Sequence, residues 1–421
     1  MWCIIACLCG AVMTSCDGLS DAGPSAAETQ ASTAPTPAAT EAAAAATSTT
    51  TLPATTTTLP SPAEVLLADM TLRQKAAQVL LLAIDGTTLS TSTQELLAEG
   101  PPGGILLLGH NVQGAEQTRR FTEDLQKAAA SGGSGIGLFI AVDQEGGLVQ
   151  RIHEGVPEVP RARKLGETSS PEEAALLAVE TAQGLLALGV NMNLAPVADV
   201  VADQGSFLYQ RSYGGEVGLV SGFVTAVTEA YADNGLISVV KHFPGHGSAS
   251  GNTHGEAVIS NATAAEFETV HLPPFGAAID AGAEGVMMAH IIATAYDVEE
   301  PASRSAAVIE GLLRDELGFT GLAISDDLEM AAATASAAAG SGAEAEAGQA
   351  TALGKAAVAA LNAGCDLLIC TGTLARNLEL LDAIVAAVET SAVSSARLDE
   401  AVLRVLELKL RHEIVGPPLA P

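Results

Sequence analysis

Positive charge and aromatic rings are both scarce in this chain of 421 residues. Lys and Arg number 19 against 49 Asp and Glu, a formal net charge of -30. A surface so charged repels nucleic acid, anionic lipid and polyanionic cell-wall polymers, which leaves neutral or weakly charged partners. Phe, Trp and Tyr make up 3% of the residues, too few for a long platform of stacked rings. Cysteine is scarce wherever it could be structural. Of six, Cys3, Cys7, Cys9 and Cys16 crowd the N-terminus, leaving Cys365 and Cys370 in GCDLLIC. That spacing is no metal signature, and two thiols in or beside one buried strand read as small hydrophobes rather than as a bridge.

Long apolar runs are missing too. The opening MWCIIACLCGAVMTSC is apolar but too brief to span a bilayer, and it ends in small residues. Residues 1–16 resemble a bacterial lipoprotein signal, with MTSC as an imperfect lipobox and Cys16 as the lipidated residue, although no Lys or Arg precedes the apolar core. The expected location is the outer face of the bacterial cell membrane, with the lipid as the sole membrane contact, or the exterior if the lipobox is not used. Residues 17–61 are dominated by Ala, Thr, Ser and Pro; such a tract has little to bury and reads as a disordered tether.

What is present lies beyond it. Hydrophobic residues form 48% of the chain, enough for a large core in residues 62–421. Eight short apolar runs alternate with longer helical patterns: QVLLLAI from Gln78, GGILLLG from Gly103, LFIAVDQ from Leu138, VNMNLAP from Val190, LISVVKH from Leu236, GVMMAHI from Gly285, LAISDDL from Leu322 and DLLICTG from Asp366. They are continuously apolar, as parallel strands covered on both faces are. Between them lie helix signals such as Ser170 with Glu173, a capping box with Pro171 in the first turn and Gly189 at the close; another starts at Thr263 with Glu266. The predicted fold is α/β, a single (β/α)8 TIM-type barrel.

The unusual polar residues fall at the C-terminal ends of the runs: Asp143, Gln144 and Glu145; Asp199; Lys241 and His242; His290; Asp326 and Asp327. A barrel gathers those ends into one mouth, where this architecture places its chemistry. One of them opens KHFPGHGSASGNTHGE, from Lys241 to Glu256, with three histidines and four glycines in sixteen residues. Packing alone does not call for such a segment.

This stretch resembles the KH(F)PGHG segment of glycoside hydrolase family 3, in particular its single-domain bacterial branch, the β-N-acetylglucosaminidases of the NagZ type. DQEGGLVQR from Asp143, NLAPVADV from Asn193, QRSYGG from Gln210, HLPPF from His271 and ELGFTGLAISDDLEM from Glu316 agree in the same order. The resemblance implies a retaining glycosidase, which needs a carboxylate nucleophile and a group that first donates a proton to the leaving oxygen and later accepts one from water. By the family pattern Asp326 is the nucleophile. Its neighbour Asp327 is expected on the opposite face of the strand, and Lys241 and His242 are expected to supply donors that hold Asp326 ionised.

The acid/base of the NagZ branch is a histidine thirteen residues after the lysine, here His254, and imidazole titrates near neutrality. Relatives carry an Asp two residues before it; this chain has Asn252, which orients the ring but adds no charge. The expected consequences are a lower imidazole pKa and weaker catalysis on poor leaving groups. Asp143, Arg151, Arg211, Lys241 and His242 match the family positions that bind the hydroxyls of the terminal sugar. Leu148 replaces a usual Arg. His246 and Asp199 read as structural, and His290 has no assigned role.

The implied activity is exo-hydrolysis of terminal β-linked N-acetylglucosamine, from GlcNAc-containing saccharides or muropeptides, with no metal and no organic cofactor. The competing readings are a β-glucosidase or a phosphorylase of the same family, and a surface sugar-binding lipoprotein without activity.

Overall fold

The computed structural model describes residues 59–131, 135–249, 251, 258–330, 333 and 347–415. Cys16, Asn252, His254 and the tether up to residue 58 lie outside the described residues.

Each of the eight apolar runs contributes one strand. They are β1 (Leu80–Ala83), β2 (Gly104–Leu107), β3 (Phe139–Val142), β4 (Met192–Asn193), β5 (Ile237–Phe243), β6 (Gly285–Met288), β7 (Leu322–Ser325) and β8 (Leu368–Cys370). All neighbours pair in parallel, from β7 through β6, β5, β4, β3, β2 and β1 to β8. A parallel bridge between Ile324 and Leu367 joins β7 to β8 and closes the ring. The fold is the expected (β/α)8 barrel.

Seven of the strands are shorter than the runs that announce them, and β5 is as long as its run but shifted on by one residue. In β4 the reason is chemical: the Asn193 side chain accepts from Gln144 N–H at 3.0 Å and donates to the Gln144 carbonyl at 3.1 Å, so a side chain carries on where the ladder stops.

The continuous apolarity of the runs follows from burial on two sides. Leu81, Leu106, Phe139, Ala141, Met192, Ile237, Val239, Met287, Ile324 and Ile369 fill the barrel interior. Their chain neighbours Leu80, Leu82, Ile105, Leu107, Ile140, Val142, Val240 and Val286 face the helices in a second, larger core. Alternate side chains point to opposite faces, so both sets must be apolar.

The capping boxes form as the sequence indicates. Ser170 accepts from Glu173 N–H at 3.3 Å and Glu173 accepts from Ser170 N–H at 2.9 Å, opening the helix Pro171–Ala187. Gly189, at φ +77°, then turns the chain toward β4; a Cβ there would also meet Thr122 Oγ1 at 2.4 Å. The Thr263 box opens Ala264–Glu266, which continues through a π turn, Phe267–His271, into the helix Pro273–Asp280.

The final helix, Ser395–Arg411, seals the bottom of the barrel, with Val405 and Leu408 belonging to the interior cluster. It is pinned by ions: the fully buried Asp366 accepts from Arg314 at 2.6 Å, Arg404 at 2.9 Å and Arg397 at 3.0 Å. Cys365 and Cys370 are free thiols, both buried. They act as small hydrophobes, and burial pushes both well above the usual thiol range.

Candidate active site

The C-terminal ends of the strands surround a cavity of about 340 Å³, at the small end of the range for ligand pockets. Asp143, Arg151, Arg211, Lys241, His242 and Asp326 all line it. Six candidates separated by up to 183 positions in the chain, from Asp143 to Asp326, thus meet in one place.

Their arrangement starts at β5. Lys241 is 2% exposed and its Nζ donates to Asp143 Oδ1 at 2.6 Å and to Glu145 Oε1 at 2.7 Å. Glu145 is gripped from the other side by Arg211, Nε to Oε2 at 2.8 Å and Nη2 to Oε1 at 2.7 Å. Such bidentate, charge-assisted pairing fixes a guanidinium in direction as well as in place. Arg211 Nη2 also lies 3.4 Å from His242 Nε2. The other ring nitrogen of His242 is 2.7 Å from Asp199 Oδ2. Asp199 in turn accepts the backbone N–H of His242 at 3.2 Å and of Gly247 at 3.3 Å. It therefore holds both the histidine and the start of the glycine-rich loop.

This row of alternating charges decides the protonation states. Burial opposes the charge on Glu145, but Lys241 and Arg211 overcome it and hold the carboxyl well below the usual carboxylate range. Burial likewise opposes the charge on Lys241, and Asp143 and Glu145 outweigh it, so the ammonium persists. His246 also lines the cavity, edge-on to Phe207 at 5.1 Å between ring centroids, and burial lowers its pKa.

Arg151 stands at the end of an antiparallel hairpin, Gln144–Gly146 with Val149–Gln150, whose turn uses Gly146 and Gly147 at φ +95° and +57°. Gln144 locks the hairpin by accepting from Arg151 N–H at 2.9 Å and donating to the Ile152 carbonyl at 2.7 Å. The buried Nε of Arg151 has no partner among the described residues. Leu148, at the hairpin tip, is 55% exposed.

Two expectations about Asp326 need correction. The opposite-face expectation for Asp326 and Asp327 does not apply: β7 ends at Ser325, the alternation ends with it, and both residues line the cavity, with the Asp327 carboxylate bound to Thr371 and Glu329. Lys241 and His242 make no hydrogen bond to Asp326 among the described residues; its Oδ1 accepts instead from Asp327 N–H at 2.8 Å. Burial raises the Asp326 pKa, but the nearby His290, His242, Asp327 N–H and Lys241 together bring it below the usual carboxylate value. The Lys241 charge still acts, through space.

Three residues at the site had no role assigned from the sequence. Glu145 is the counter-ion that Lys241 and Arg211 share; the signal was a second acid beside Asp143 in a chain with few cations to spare. Thr371, at the end of β8, lines the cavity and bonds Asp327. His290 is 1% exposed and packs beneath the two aspartates.

Comparison with known proteins supplies a family for the chain. The model of the glycosyl hydrolase family 3 N terminal domain matches residues 71–408. A Beta-hexosaminidase of Nitrosomonas eutropha is 35% identical over 327 residues, which are 76% of this chain and 87% of that protein. Among solved structures, a glycoside hydrolase family 3 beta-N-acetylglucosaminidase from a Paenibacillus species superposes with a TM-score of 0.76 at 35% identity. The match covers 84% of this chain and 64% of that longer one. A Beta-N-acetylhexosaminidase from Beutenbergia cavernae gives a TM-score of 0.70 at 29% identity, over 81% of this chain and 99% of that one.

Proposed function

This chain belongs to glycosyl hydrolase family 3 as a glycoside hydrolase of the NagZ type, and from that premise we propose that it releases terminal β-linked N-acetylglucosamine, from peptidoglycan fragments, with retention through a covalent intermediate on Asp326. The observation that carries this reading is the convergence of Asp326 with the Asp143–Lys241–Glu145–Arg211 row on one sugar-sized cavity.

In the proposed first step the Asp326 carboxylate attacks the anomeric carbon while His254 protonates the leaving oxygen, so the glycosidic C–O bond breaks as the ester bond forms. In the second step His254 takes a proton from water, which displaces Asp326 and restores both groups. The low pKa of Asp326 suits a nucleophile that stays ionised across the working pH range. Asp143 accepts from sugar hydroxyls, Arg151, Arg211 and Lys241 donate to them, and His242, whose Nε2 faces the donor Arg211 Nη2 at 3.4 Å while its Nδ1 faces Asp199, accepts. Anchoring through a lipid on Cys16, which would place the enzyme on the outer face of the cell membrane, is part of the same proposal and rests on the MTSC sequence.

The test is the initial rate of residues 62–421 on an aryl β-N-acetylglucosaminide and on the matching β-glucoside, with Asp326→Ala as control. Preference for the N-acetyl sugar, lost in the variant, is the expected result. Preference for the glucoside would move the assignment to β-glucosidase, phosphate-dependent formation of a sugar 1-phosphate would move it to a phosphorylase, and sugar binding without turnover would leave a binding protein. Release of N-acetylglucosamine from purified muropeptides tests the source, and incorporation of radiolabelled palmitate, lost in Cys16→Ser, tests the anchor.

A further inference from the structure

The segment that carries Asp326 is fastened on every side. Its own N–H donates to the Met288 carbonyl of β6 at 3.0 Å, and two residues later Leu328 N–H donates to Ile369 of β8 at 3.0 Å. Between these anchors sits Asp327, all of whose polar groups are engaged. Its N–H points at the Asp326 carboxylate, 2.8 Å from Oδ1. Its own Oδ1 accepts from Thr371 N–H at 3.0 Å and from Glu329 N–H at 3.1 Å, and its Oδ2 accepts from the Thr371 hydroxyl. Its carbonyl lies 3.0 Å from His290 Nε2.

That last contact fixes the histidine as well. A carbonyl oxygen only accepts, so Nε2 carries the proton. Nδ1, 2.7 Å from the hydroxyl of the fully buried Ser303, then accepts from it when the ring is neutral, and burial favours the neutral ring by lowering its pKa. The run is Ser303 O–H to His290 Nδ1, then His290 Nε2–H to the Asp327 carbonyl.

We propose that Asp327 is a positioning residue, held through its carboxylate by Thr371 and through its carbonyl by the Ser303–His290 pair, so that its N–H aims the Asp326 carboxylate at the substrate. The proposal rests on the reading of Asp326 as the nucleophile. A group bridging β6, β7 and β8 resists the rotation that would carry that carboxylate out of line, and misplacement by about 1 Å costs on the order of 100-fold in rate. Charge on Asp327 is not what the clamp uses. Burial pushes this carboxyl above its ordinary value, and an amide of the same shape can accept from both N–H groups with its oxygen while donating to Thr371 Oγ1.

The experiment compares Asp327→Asn, Asp327→Ala, Thr371→Val and Asp326→Asn on an aryl β-N-acetylglucosaminide, and follows trapping of the covalent ester by a fluorinated substrate with peptide mass spectrometry. Asp326→Asn should be inactive and the wild-type label should sit on Asp326. Asp327→Asn should turn over within about threefold of wild type, whereas Asp327→Ala and Thr371→Val should lose about 100-fold in kcat with KM within about twofold, since the aim of the nucleophile and not sugar binding is lost. Should Asp327→Ala not fold, Thr371→Val, which keeps the volume and removes the hydroxyl, decides alone. A label on Asp327, an Asp327→Asn as inactive as Asp326→Asn, or a Thr371→Val at the wild-type rate overturns the clamp. A wild type with neither turnover nor label overturns the hydrolase reading and the clamp with it, and is recognised because every variant then matches wild type.

Discussion

Both ends of the barrel bury a lysine, and they treat it in opposite ways. At the mouth, Lys241 sits between Asp143 and Glu145 at 2.6 and 2.7 Å. At the floor, Lys409 is fully buried and donates to two neutral oxygens, Gln78 Oε1 at 2.8 Å and the Gly137 carbonyl at 2.7 Å, with the Phe139 ring centroid 5.1 Å away. Burial alone then pushes the Lys409 amine well below its ordinary value, while the two acids raise Lys241 against the same penalty. Depth does not determine charge. A site that needs a cation has to bring acids with it, and one that needs only two hydrogen bonds can leave the amine neutral.

Four substitutions test that contrast, from the largest expected effect to the smallest. Lys241→Met leaves Asp143 and Glu145 facing each other across a gap with no ammonium. Activity should fall by about 1000-fold, by the measure of a lost preorganised donor, and denaturant unfolding should show a loss of about 3–5 kcal/mol, as for one-sided removal of a buried pair. A stability near wild type would mean the mouth does not depend on its charges. Glu145→Gln keeps an acceptor for Arg211 but removes the shared counter-charge. On the order of 100-fold should be lost in kcat/KM, mostly through KM because Arg211 and Lys241 are the proposed sugar donors, and steady-state kinetics would read the split.

Lys409→Met should leave the rate per folded molecule unchanged and cost about 1–3 kcal/mol, from the two stranded acceptors. Its pH dependence carries the sign. Below the pKa of an exposed lysine the unfolded chain binds a proton that the folded chain does not, so the wild-type amine adds stability as pH rises through that window and withdraws it as pH falls. The gap between wild type and Lys409→Met should therefore be widest near pH 10.5 and narrow toward neutrality, as measured by urea unfolding at several pH values. A gap that stays constant would mean that Lys409 is charged in the folded state. The smallest effect is expected from Asn252→Asp, which adds an acid two residues before His254 in the sequence. The pH limb set by the proposed acid/base His254 should move upward by about 1 unit, together with faster cleavage of poor leaving groups; an unchanged profile would remove Asn252 from the account.

The sequence made the strands legible because each is apolar on both faces, and it made the mouth legible because polar residues follow those strands directly. It could not show where a strand stops. Asp326 and Asp327 look like alternating positions until β7 is seen to end at Ser325, after which both residues line the cavity. Nor could it show that Glu145, one of 49 acidic residues, is shared by Lys241 of β5 and Arg211 of the loop that follows β4, since that pairing exists only once β3, β4 and β5 are brought around the same ring. Lys409 was hidden for the same reason: a lysine in the last turn of an amphipathic helix ordinarily reads as solvated, and its burial depends on Gln78 and Gly137, more than 270 positions away.

The seal made by Ser395–Arg411 also has a consequence for the order in which the molecule comes into being. Synthesis runs from the N-terminus, so β8 and this helix are the last parts of the barrel to leave the ribosome. Until they do, the ring is open between β7 and β1, and Leu81, Ile324 and the other interior side chains have no cover from Val405 and Leu408. A ribosome stalled near residue 394 would hold a nascent chain with every cavity-lining residue already made and an uncovered greasy bore, the state in which such a chain most needs a chaperone.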